Sequence, residues 1–574
     1  MNEALRKAFA QSIAQALSRD PEAILAGIGI PADVRHGHLA FPCFSLAKEL
    51  RQSPPAIALD LVNKIVAPEG CEVLATGPFL NLKVLPVALA KTTVTAALAD
   101  TDVVSHSGAD RIVLVDYSSP NIGKELVYHH IRSTVIGASL CRIYAAAGWK
   151  VVAVNHLGDW GTQFGKLTLM FLREHGMDEA AARAALPTVN LATLNRLYVG
   201  FKPAAEKEPE LEDAAREWFR RIESGHPFAR ACWERFVAAT REELTRLYED
   251  LDARFDHFLG ESFYEDKLPG LVTRLEKAGI LEESEGAQVV KVGDDVPPCL
   301  IRKQDGSTLY ATRDLAAATW RHEIFHFDRC LYVVDAGQSL HFRQVFRVLK
   351  KLGDPCAEKC VHVPFGLVLG RTEDGGWAKT STRMGGGTPL RAVIDTAIDK
   401  IRHIVAERST DIEDPAALSK ALGIGALVFN ELKSRRTSDS KFDLDMVLAF
   451  DGDTGPYVQY AYVRLCGILR KAGEGAAADP AKARWGLLCE PETVKLLVTL
   501  SKLSERVDLA VEQNEPSVIA QYCLEVSEDF HQFYQKQRVL DHEASPERLL
   551  LVEATRLVLN RAMRLVGLTP VERM

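Results

Sequence analysis

The run Ser118-Ser119-Pro120-Asn121-Ile122-Gly123-Lys124 decides the fold of this 574-residue chain. A β-branched stretch over 111–117 precedes the run, and a helical pattern of apolar residues over 131–143 follows it. A second β-branched stretch, 150–155, completes a strand–turn–helix–strand unit. Units of this kind stack into parallel sheets, which predicts an α/β domain built around the run.

The turn itself predicts an anion site. It brings Lys124, His129 and His130 beside a helix N-terminus, where unpaired amides and the helix dipole attract phosphate. The turn contains no G-x-G-x-x-G and no G-x-x-x-x-G-K-[ST] pattern. It is therefore neither a Rossmann dinucleotide fingerprint nor a Walker loop.

The run and its continuation resemble the class I signature of arginyl-tRNA synthetases, S-[SA]-P-N-x-x-K-x-x-H-x-G-H-x-R-S-T. The matching positions are Ser119, Pro120, Asn121, Lys124, His130, Arg132, Ser133 and Thr134. Val127 stands where the family has its first His, and His129 stands where it has Gly. A second run over 155–165, Asn-His-Leu-Gly-Asp-Trp-Gly-Thr-Gln-Phe-Gly, is similar to the family's segment after the next strand.

Composition sets broad limits. Apolar residues make up 47% and charged residues 25%, as in a soluble globular protein, and the length predicts three to four domains. No 18-residue uncharged apolar stretch predicts a membrane helix, and the N-terminus has the pattern of an amphipathic helix instead of a signal peptide. The eleven cysteines are scattered, which favours free thiols in a reducing cytoplasm and no zinc site.

The fold class that the patterns and the resemblance imply is an α/β Rossmann-like class I catalytic domain, with an N-terminal α+β domain and a C-terminal all-α bundle. The expected ranges are an N-terminal domain on the D-loop side of tRNA over 1–108, a catalytic domain over 109–390 with a helical insertion over about 177–270, a helical connecting region over 391–450, and an anticodon-binding helical domain over 451–574. Periodicity alone would fit a first domain that only packs on the rest equally well.

A site for arginine must hold a planar guanidinium, which favours carboxylates in bidentate geometry. Asp116 ends the first strand, where open α/β sheets bind ligands, although such an Asp is often only a turn former. Tyr310 and Asp314 are one helical turn apart and can face the same point. The residues that match the family's arginine-binding positions are Asp116, Ser119, Asn121, Tyr310, Asp314 and Gln338.

A site for ATP must supply preorganised positive charge, because forming an adenylate moves charge onto pyrophosphate. The glycine-rich run Lys379-Thr-Ser-Thr-Arg-Met-Gly-Gly-Gly387 resembles the class I K-M-S-K loop. The resemblance implies catalytic roles for Lys124, His130, Lys379 and Ser381, and His129 and Arg383 are further catalytic candidates on the same two segments. It implies ATP contacts for Lys124, His130, Gly158, Asp159, Gln163, Asp335 and His362, and no metal ligated by the protein alone.

The two departures from the signature leave alternatives open. The family's Gly has no Cβ and permits close approach of the adenine, whereas His129 could block the base or stack on it. Val127 cannot donate a side-chain hydrogen bond to phosphate, and one lost donor costs about 10²–10³ in rate. His129 could replace the missing imidazole, or the chain could be a degenerate paralogue.

The function that the resemblance implies is ATP-dependent ligation of arginine to its tRNA through an arginyl-adenylate. Mg²⁺ would accompany ATP, the partners would be arginine and tRNA, no membrane partner is expected, and the chain would be a cytoplasmic monomer. Basic clusters over 433–441 and 464–471 are candidate RNA contacts, although such clusters are more often solvated helix faces. The alternative is a degenerate or repurposed paralogue that binds tRNA or arginine as a regulator.

Overall fold

The computed structural model describes residues 3–31, 36–98, 104–304, 308–372, 374–379, 387–408 and 412–574. The helices are α1 Glu3–Leu17, α2 Pro21–Gly27, α3 Ala47–Leu50, α4 Pro54–Lys64, α5 Pro86–Leu98, α6 Ile131–Ala146, α7 Thr162–Glu174, α8 Glu179–Ala185, α9 Leu191–Lys207, α10 Leu211–Glu223, α11 Pro227–Asp250, α12 Leu268–Lys277, α13 Tyr310–Phe325, α14 Ser339–Lys351, α15 Leu390–Arg408, α16 Pro415–Leu432, α17 Leu444–Val447, α18 Gly455–Ala472, α19 Pro491–Leu500, α20 Leu503–Gln513, α21 Ser517–Lys536 and α22 Ser545–Leu565. The strands are β1 Leu39–Pro42, β2 Cys71–Thr76, β3 Phe79–Val84, β4 Ile112–Asp116, β5 Lys150–Asn155, β6 His257–Phe258, β7 Glu282–Ser284, β8 Ala287–Val290, β9 Cys299–Arg302, β10 Arg329–Tyr332, β11 Cys360–His362, β12 Val368–Arg371, β13 Trp377–Lys379 and β14 Ser440–Phe442.

Five parallel strands form the centre of the catalytic domain in the order β11-β10-β4-β5-β6. The chain starts in the middle at β4, extends to one side through β5 and β6, and later to the other side through β10 and β11. This reversal opens a crevice at the carboxyl ends of β4 and β10, where open α/β sheets bind ligands. Helix α6 is the crossover between β4 and β5, so the predicted strand–turn–helix–strand unit and α/β class are confirmed.

The N-terminal domain is an α+β unit with its own core. Its antiparallel sheet has the order β1-β3-β2, and the core residues include Phe9, Phe41, Leu61 and Leu80. The next helix, α5, packs instead on α19 and α22 of the C-terminal bundle. Because α5 lies inside the predicted range 1–108, that range contributes both to the N-terminal core and to the core of the C-terminal bundle.

Helices α8 to α11 lie within the range of about 177–270 expected for the insertion, and the chain returns to the central sheet at β6, before that range ends. Strand β6 has only two residues and extends the sheet beyond β5. A small antiparallel sheet, β7-β8-β9, follows before α13. Strands of two to four residues are too short to show alternation, which explains why periodicity does not reveal them.

The C-terminal bundle shares one apolar core with the crossover helix α6. Ser139 Oγ donates to the Leu565 carbonyl at 2.8 Å, and Tyr144 Oη donates to Asn514 Oδ1 at 2.6 Å. The all-α prediction for this region is confirmed by the five helices that run from α18 to α22. The bundle supports the face of α6 that lies away from the central sheet.

Candidate active site

The turn after β4 holds two consecutive non-glycine residues in the left-handed region. Ser118 has a φ of 67° and Ser119 a φ of 46°, at a cost of roughly 1–2 kcal/mol per residue. Hydrogen bonds offset that cost. The Ser118 amide donates to Ser133 Oγ at 3.0 Å, and Ser119 Oγ donates to Asp116 Oδ1 at 2.7 Å. The hydroxyls of the signature thus stabilise a strained turn at the sheet edge.

The signature turn pairs with the loop after β5. The Gly158 amide donates to the Pro120 carbonyl at 3.0 Å, and the Ile122 amide donates to the Gly158 carbonyl at 3.2 Å. A Cβ on Gly158 would lie 2.2 Å from Asn121 Oδ1, so a larger residue here would require the Asn121 side chain to move. Gln163 Nε2 donates to the same Gly158 carbonyl at 3.1 Å. The two runs quoted from the sequence therefore form one wall of the crevice.

Asp159 accepts two hydrogen bonds from Ser262, which follows strand β6. Its Oδ1 accepts from the Ser262 amide at 2.8 Å, and its Oδ2 accepts from Ser262 Oγ at 2.7 Å. Burial raises the pKa of Asp159, and the Ser262 hydrogen bonds act against that rise. Both carboxylate oxygens have structural partners, and the ATP contact of Asp159 stays a prediction.

Asp116 already carries a guanidinium partner. The residue is 4% exposed, and its Oδ2 accepts from Arg321 Nη1 of α13 at 2.7 Å. Arg321 Nε also donates to Tyr264 Oη at 3.0 Å. Burial acts to lower the pKa of Arg321, but attraction to Tyr264 and Asp116 raises it well above its usual range. An internal arginine thus neutralises the first carboxylate that the sequence offers to the substrate.

Asp314 has imidazole partners instead. His341 Nε2 of α14 lies 2.6 Å from Asp314 Oδ2, and His156 Nε2 lies 3.9 Å from Oδ1. The Asp314 side chain is 22% exposed. Tyr310, at the start of the same helix, is 66% exposed. The predicted pair therefore reaches the surface of the crevice.

Glu261 is a buried carboxyl beside this cluster. Its Oε2 lies 3.8 Å from Arg313 Nη1 and accepts no hydrogen bond within the described residues. Burial raises the pKa of Glu261 to about 8, although Arg313 acts to lower it. The raised pKa favours the neutral form of the Glu261 carboxyl, which limits the negative charge near Asp314.

His130 is a neutral imidazole. Its Nδ1 lies 3.0 Å from the Val127 amide nitrogen and 3.2 Å from the Val127 carbonyl. Burial, and then the proximity of His129, lower the pKa of His130 to about 4. The nearer partner of Nδ1 is an N–H donor, so the ring proton lies on Nε2. His130 thus offers one N–H donor, and its ring centroid lies 4.2 Å from that of the exposed His129.

Lys124 lies on an aromatic face of the helical insertion. Its Nζ is 4.2 Å from the ring centroid of Tyr198 on α9. A cation in this position is attracted by the negative face of the ring. The lysine of the signature turn is therefore held by a helix that the sequence places in a separate insertion.

The segment that follows the glycine-rich run is attached to the signature segment. After the run, the Tyr128 amide donates to the Thr388 carbonyl at 3.1 Å, and the Leu390 amide donates to the Leu126 carbonyl at 2.8 Å. Before the run, β13 ends at Lys379 and pairs with β12, which in turn pairs with β14. The residues that follow the run therefore lie against the signature segment, and those that precede it belong to the β13-β12-β14 sheet.

Arg132 holds together the two loops that lead into strands β12 and β14. Its Nη1 donates to the Gly366 and Leu367 carbonyls at 3.1 and 3.0 Å, and its Nη2 donates to the Arg436 and Ser438 carbonyls at 3.2 and 2.8 Å. These segments lead into β12 and β14. The signature arginine is therefore a buried structural residue that spans two loops.

The remaining predicted residues lie where β10 and β11 end. Asp335 Oδ1 accepts from the Gly337 amide at 2.7 Å, and Gln338 is exposed on the same turn. His362 ends β11 with its ring 4.6 Å from that of Phe342, and burial lowers the pKa of His362. Ser381 and Arg383 lie outside the described residues. For these positions the roles stay predictions.

The catalytic region, residues 93–444, matches the family model described as tRNA synthetases class I (R), catalytic domain. The chain belongs to the arginyl-tRNA synthetase family. The regions on either side match the arginyl tRNA synthetase N terminal domain over 3–84 and the DALR anticodon binding domain over 458–574. Members of this family join arginine to tRNA with ATP, and the chain is a class I arginine–tRNA ligase.

Two relatives named arginine–tRNA ligase are similar over the full length. The protein of Clostridium perfringens is 42% identical over 99% of this chain and 100% of its own, and that of Clostridioides difficile is 40% identical over 96% of each. The arginyl-tRNA synthetase structure of Thermus thermophilus has a TM-score of 0.80 at 26% identity, covering 99% of this chain and 100% of that one. The Plasmodium falciparum arginyl-tRNA synthetase shares the fold, with a TM-score of 0.82 at 24% identity over 100% of this chain and 99% of that one. None of these matches supports the alternative of a non-catalytic paralogue.

Sequence reasoning missed four residues of this synthetase site: Arg321, His156, His341 and Glu261. Arg321 follows Asp314 by seven residues on α13, a spacing of two helical turns that puts both on one face. That spacing could have revealed it. His156 lies inside the second quoted run, beside Gly158. His341 and Glu261 have no local signal, because their partners are distant in sequence.

The described ranges of the synthetase contain neither a preformed metal cluster nor a membrane-spanning helix. Within those ranges, no group of three or more His, Cys, Asp and Glu side chains is arranged to hold a metal ion. None of the helices described there combines the length and the apolar character needed to cross a bilayer. All eleven cysteines are free thiols.

Proposed function

We propose that arginine binds in the crevice between β4 and β10 with its guanidinium on Asp314. One observation carries this proposal: Asp116 is neutralised by Arg321, whereas the ionic partners of Asp314 are imidazoles on one partly exposed carboxylate. A guanidinium needs a carboxylate of this kind. Tyr310 offers an aromatic face one turn away.

The α-amino and carboxylate groups of arginine would then lie toward the signature turn. Ser119 and Asn121 are on that turn, and Gln338 is on the opposite side at the end of β10. We expect these three residues to orient the substrate carboxylate toward ATP. In the reaction, one carboxylate oxygen attacks the α-phosphorus, and the bond from that phosphorus to pyrophosphate breaks.

The phosphate side of the site would stabilise the charge that develops on pyrophosphate. His130 presents an N–H donor, and Lys124 and the glycine-rich run supply positive charge. The residues of that run with proposed roles are Lys379, Ser381 and Arg383. The proposed ATP contacts lie on adjoining loops: Gly158, Asp159, Gln163, Asp335 and His362. Mg²⁺ would arrive bound to the phosphates of ATP, as is usual for this ion.

In the second step, a ribose hydroxyl of the terminal adenosine of tRNA attacks the carbonyl of arginyl-adenylate, and AMP leaves. The C-terminal bundle offers a surface for the RNA. Arg464 lies over the rings of Tyr460 and Tyr534, at 5.0 and 5.6 Å from their centroids. Exposed aromatics beside an arginine suit base stacking and phosphate contact. By contrast, Arg436 of the other basic cluster donates to the Pro364 carbonyl and is engaged internally.

The setting of the reaction is proposed from general features. Eleven free thiols suit a reducing compartment, and we place the enzyme in the cytoplasm. A monomeric state is proposed from the family resemblance alone. The N-terminal domain is proposed to contact tRNA on its D-loop side.

Aminoacylation of purified arginine tRNA by the full chain, with ATP and Mg²⁺, tests the proposal. We expect transfer of labelled arginine. In Asp314→Asn, the KM for arginine should rise by about 10–100-fold, because a charged hydrogen-bond partner is lost, while the KM for ATP stays constant. Asp295→Asn is the matched control, since Asp295 forms an exposed ion pair with Arg347. No transfer with all components present would refute the ligase and favour an RNA-binding regulator.

A further inference from the structure

The carboxylate of Asp314 lies between two imidazoles from different elements. His341 is on α14, which follows β10, and His156 is in the loop after β5. The shorter contact joins His341 Nε2 to Asp314 Oδ2 at 2.6 Å. A lone pair at this distance from a carboxylate would be repelled, so Nε2 carries the proton and donates.

The second imidazole is held from its other side. His156 Nδ1 lies 3.0 Å from the Leu259 carbonyl and 3.1 Å from Arg321 Nη2. A carbonyl can only accept and a guanidinium can only donate, so these contacts fix the position of the ring and not that of its proton. His156 Nε2 is 3.9 Å from Asp314 Oδ1. His156 therefore lies on the Oδ1 side of Asp314, beyond hydrogen-bond distance.

We propose that His341 is a positioning residue for arginine binding, which holds the Asp314 carboxylate in the orientation that receives the substrate guanidinium. This inference rests on the proposed function, in which Asp314 binds the guanidinium. His341 itself need not contact the substrate. Without it, Asp314 is free to rotate about χ1 and χ2, and a carboxylate that must first be ordered binds its ligand less tightly.

The geometry favours orientation over competition. A carboxylate has about four lone-pair sites, and His341 occupies one site on Oδ2. Oδ1, with His156 Nε2 at 3.9 Å, keeps sites for a guanidinium N–H. Removing His341 should therefore weaken arginine binding, whereas removing a competitor would strengthen it.

The test is steady-state aminoacylation by the full-length chain with variants of His341. His341→Ala should raise the KM for arginine by about 10-fold, the lower end for a hydrogen bond to a charged group because the pair is partly exposed. The kcat and the KM for ATP should stay unchanged. His341→Gln restores an N–H donor and should recover most of the affinity for arginine. Gln344→Ala is the matched control on α14, because Gln344 only donates to the Pro297 and Pro298 carbonyls.

Asp314→Asn, measured in parallel, separates two kinds of failure. An arginine KM that rises in Asp314→Asn but is unchanged or lower in His341→Ala would overturn the positioning role alone. An arginine KM unaffected by Asp314→Asn would instead overturn the proposed arginine site. A loss of kcat and thermal stability in His341→Ala without rescue by His341→Gln would show that His341 is merely structural, which also overturns the inference.

Discussion

The two sides of the crevice differ in how their charges are compensated. On the arginine side, Asp116 and Arg321 form a buried ion pair, and Asp314 is held by His341. On the phosphate side, Lys124 lies on the Tyr198 ring and His130 is neutral. One side thus contains paired opposite charges, and the other contains a cation and a donor without a carboxylate partner among the contacts described above.

This difference shows which charges a substrate can use. A charged residue in a sequence motif is available to a ligand only when no protein group of opposite charge already neutralises it. Asp116 and Asp314 both match arginine-binding positions, yet only Asp314 is without a guanidinium partner within the described residues. The following changes test this contrast, beginning with the largest expected effect.

On the arginine side of the crevice, Arg321→Met should lower the stability of the protein. The variant leaves the Asp116 charge buried without its partner, at a cost of about 3–5 kcal/mol in the free energy of unfolding. Urea titration followed by tryptophan fluorescence measures the loss. Asp314→Asn serves as the contrast, because a partly exposed pair contributes about 1 kcal/mol or less. Equal losses in both variants would contradict the distinction between the two carboxylates.

On the phosphate side of the crevice, His130→Ala should slow adenylate formation. It removes one preorganised donor, so the rate of adenylate formation should fall by about 10²–10³ while the KM for arginine is unchanged. Pyrophosphate exchange in the presence of tRNA measures this rate. His129→Ala should show a fall of similar size if His129 replaces the family's first His. If His129→Gly instead raises ATP affinity, His129 obstructs the base.

Acid should destabilise the phosphate side through His130. Its folded pKa of about 4 lies below the usual 6.5, so the unfolded chain binds the proton first as the pH falls. Stability is therefore lost between pH 6.5 and 4, and the loss from pH 7 to pH 5 is about 2 kcal/mol. His130→Gln should lack this contribution in urea titrations at both pH values. The pKa of His38 in the N-terminal domain is also lowered to about 4, but its contribution to the pH dependence cancels in the comparison because both proteins contain it. Parallel pH dependences for the two proteins would show that His130 is not buried as described.

The smallest expected effect concerns the contact between Lys124 and the Tyr198 ring. Tyr198→Leu removes the aromatic face, a contact of about 0.5–1 kcal/mol, and should raise the KM for ATP by about two- to five-fold. Tyr198→Phe keeps the face and should behave like the unaltered enzyme. If both variants are affected equally, the phenol hydroxyl and not the ring is responsible, and the cation–π contact is unimportant.

Much of the fold was accessible from local pattern. The β-branched stretches around the signature predicted β4 and β5, and apolar periodicity predicted α6. The helical character of the C-terminal third followed from the same periodicity. The edge strand β6 and the strands β7 to β9 were not accessible, because two to four residues carry no measurable period.

The candidate site was only partly accessible for a different reason. Sequence motifs identified Asp116, Asp314, Lys124 and His130, since each has the functional group that its role requires. The partners of these residues are far away in sequence. Arg321 is 205 positions from Asp116, and His341 is 27 positions from Asp314. No local pattern specifies such a pair.

The amino-acid sequence by itself determined the family, the α/β class and the residue types at the crevice, because these depend on local propensity and on motifs a few residues long. Only the tertiary structure decided which of those residues remain available to substrates. Neutralisation depends on distance in space, and the packing of α13 against β4 placed Arg321 on Asp116 and left Asp314 at the surface of the crevice. Tertiary contacts also brought the residues after the glycine-rich run to Leu126 and Tyr128, beside the signature turn, although more than 200 residues separate the two in the chain.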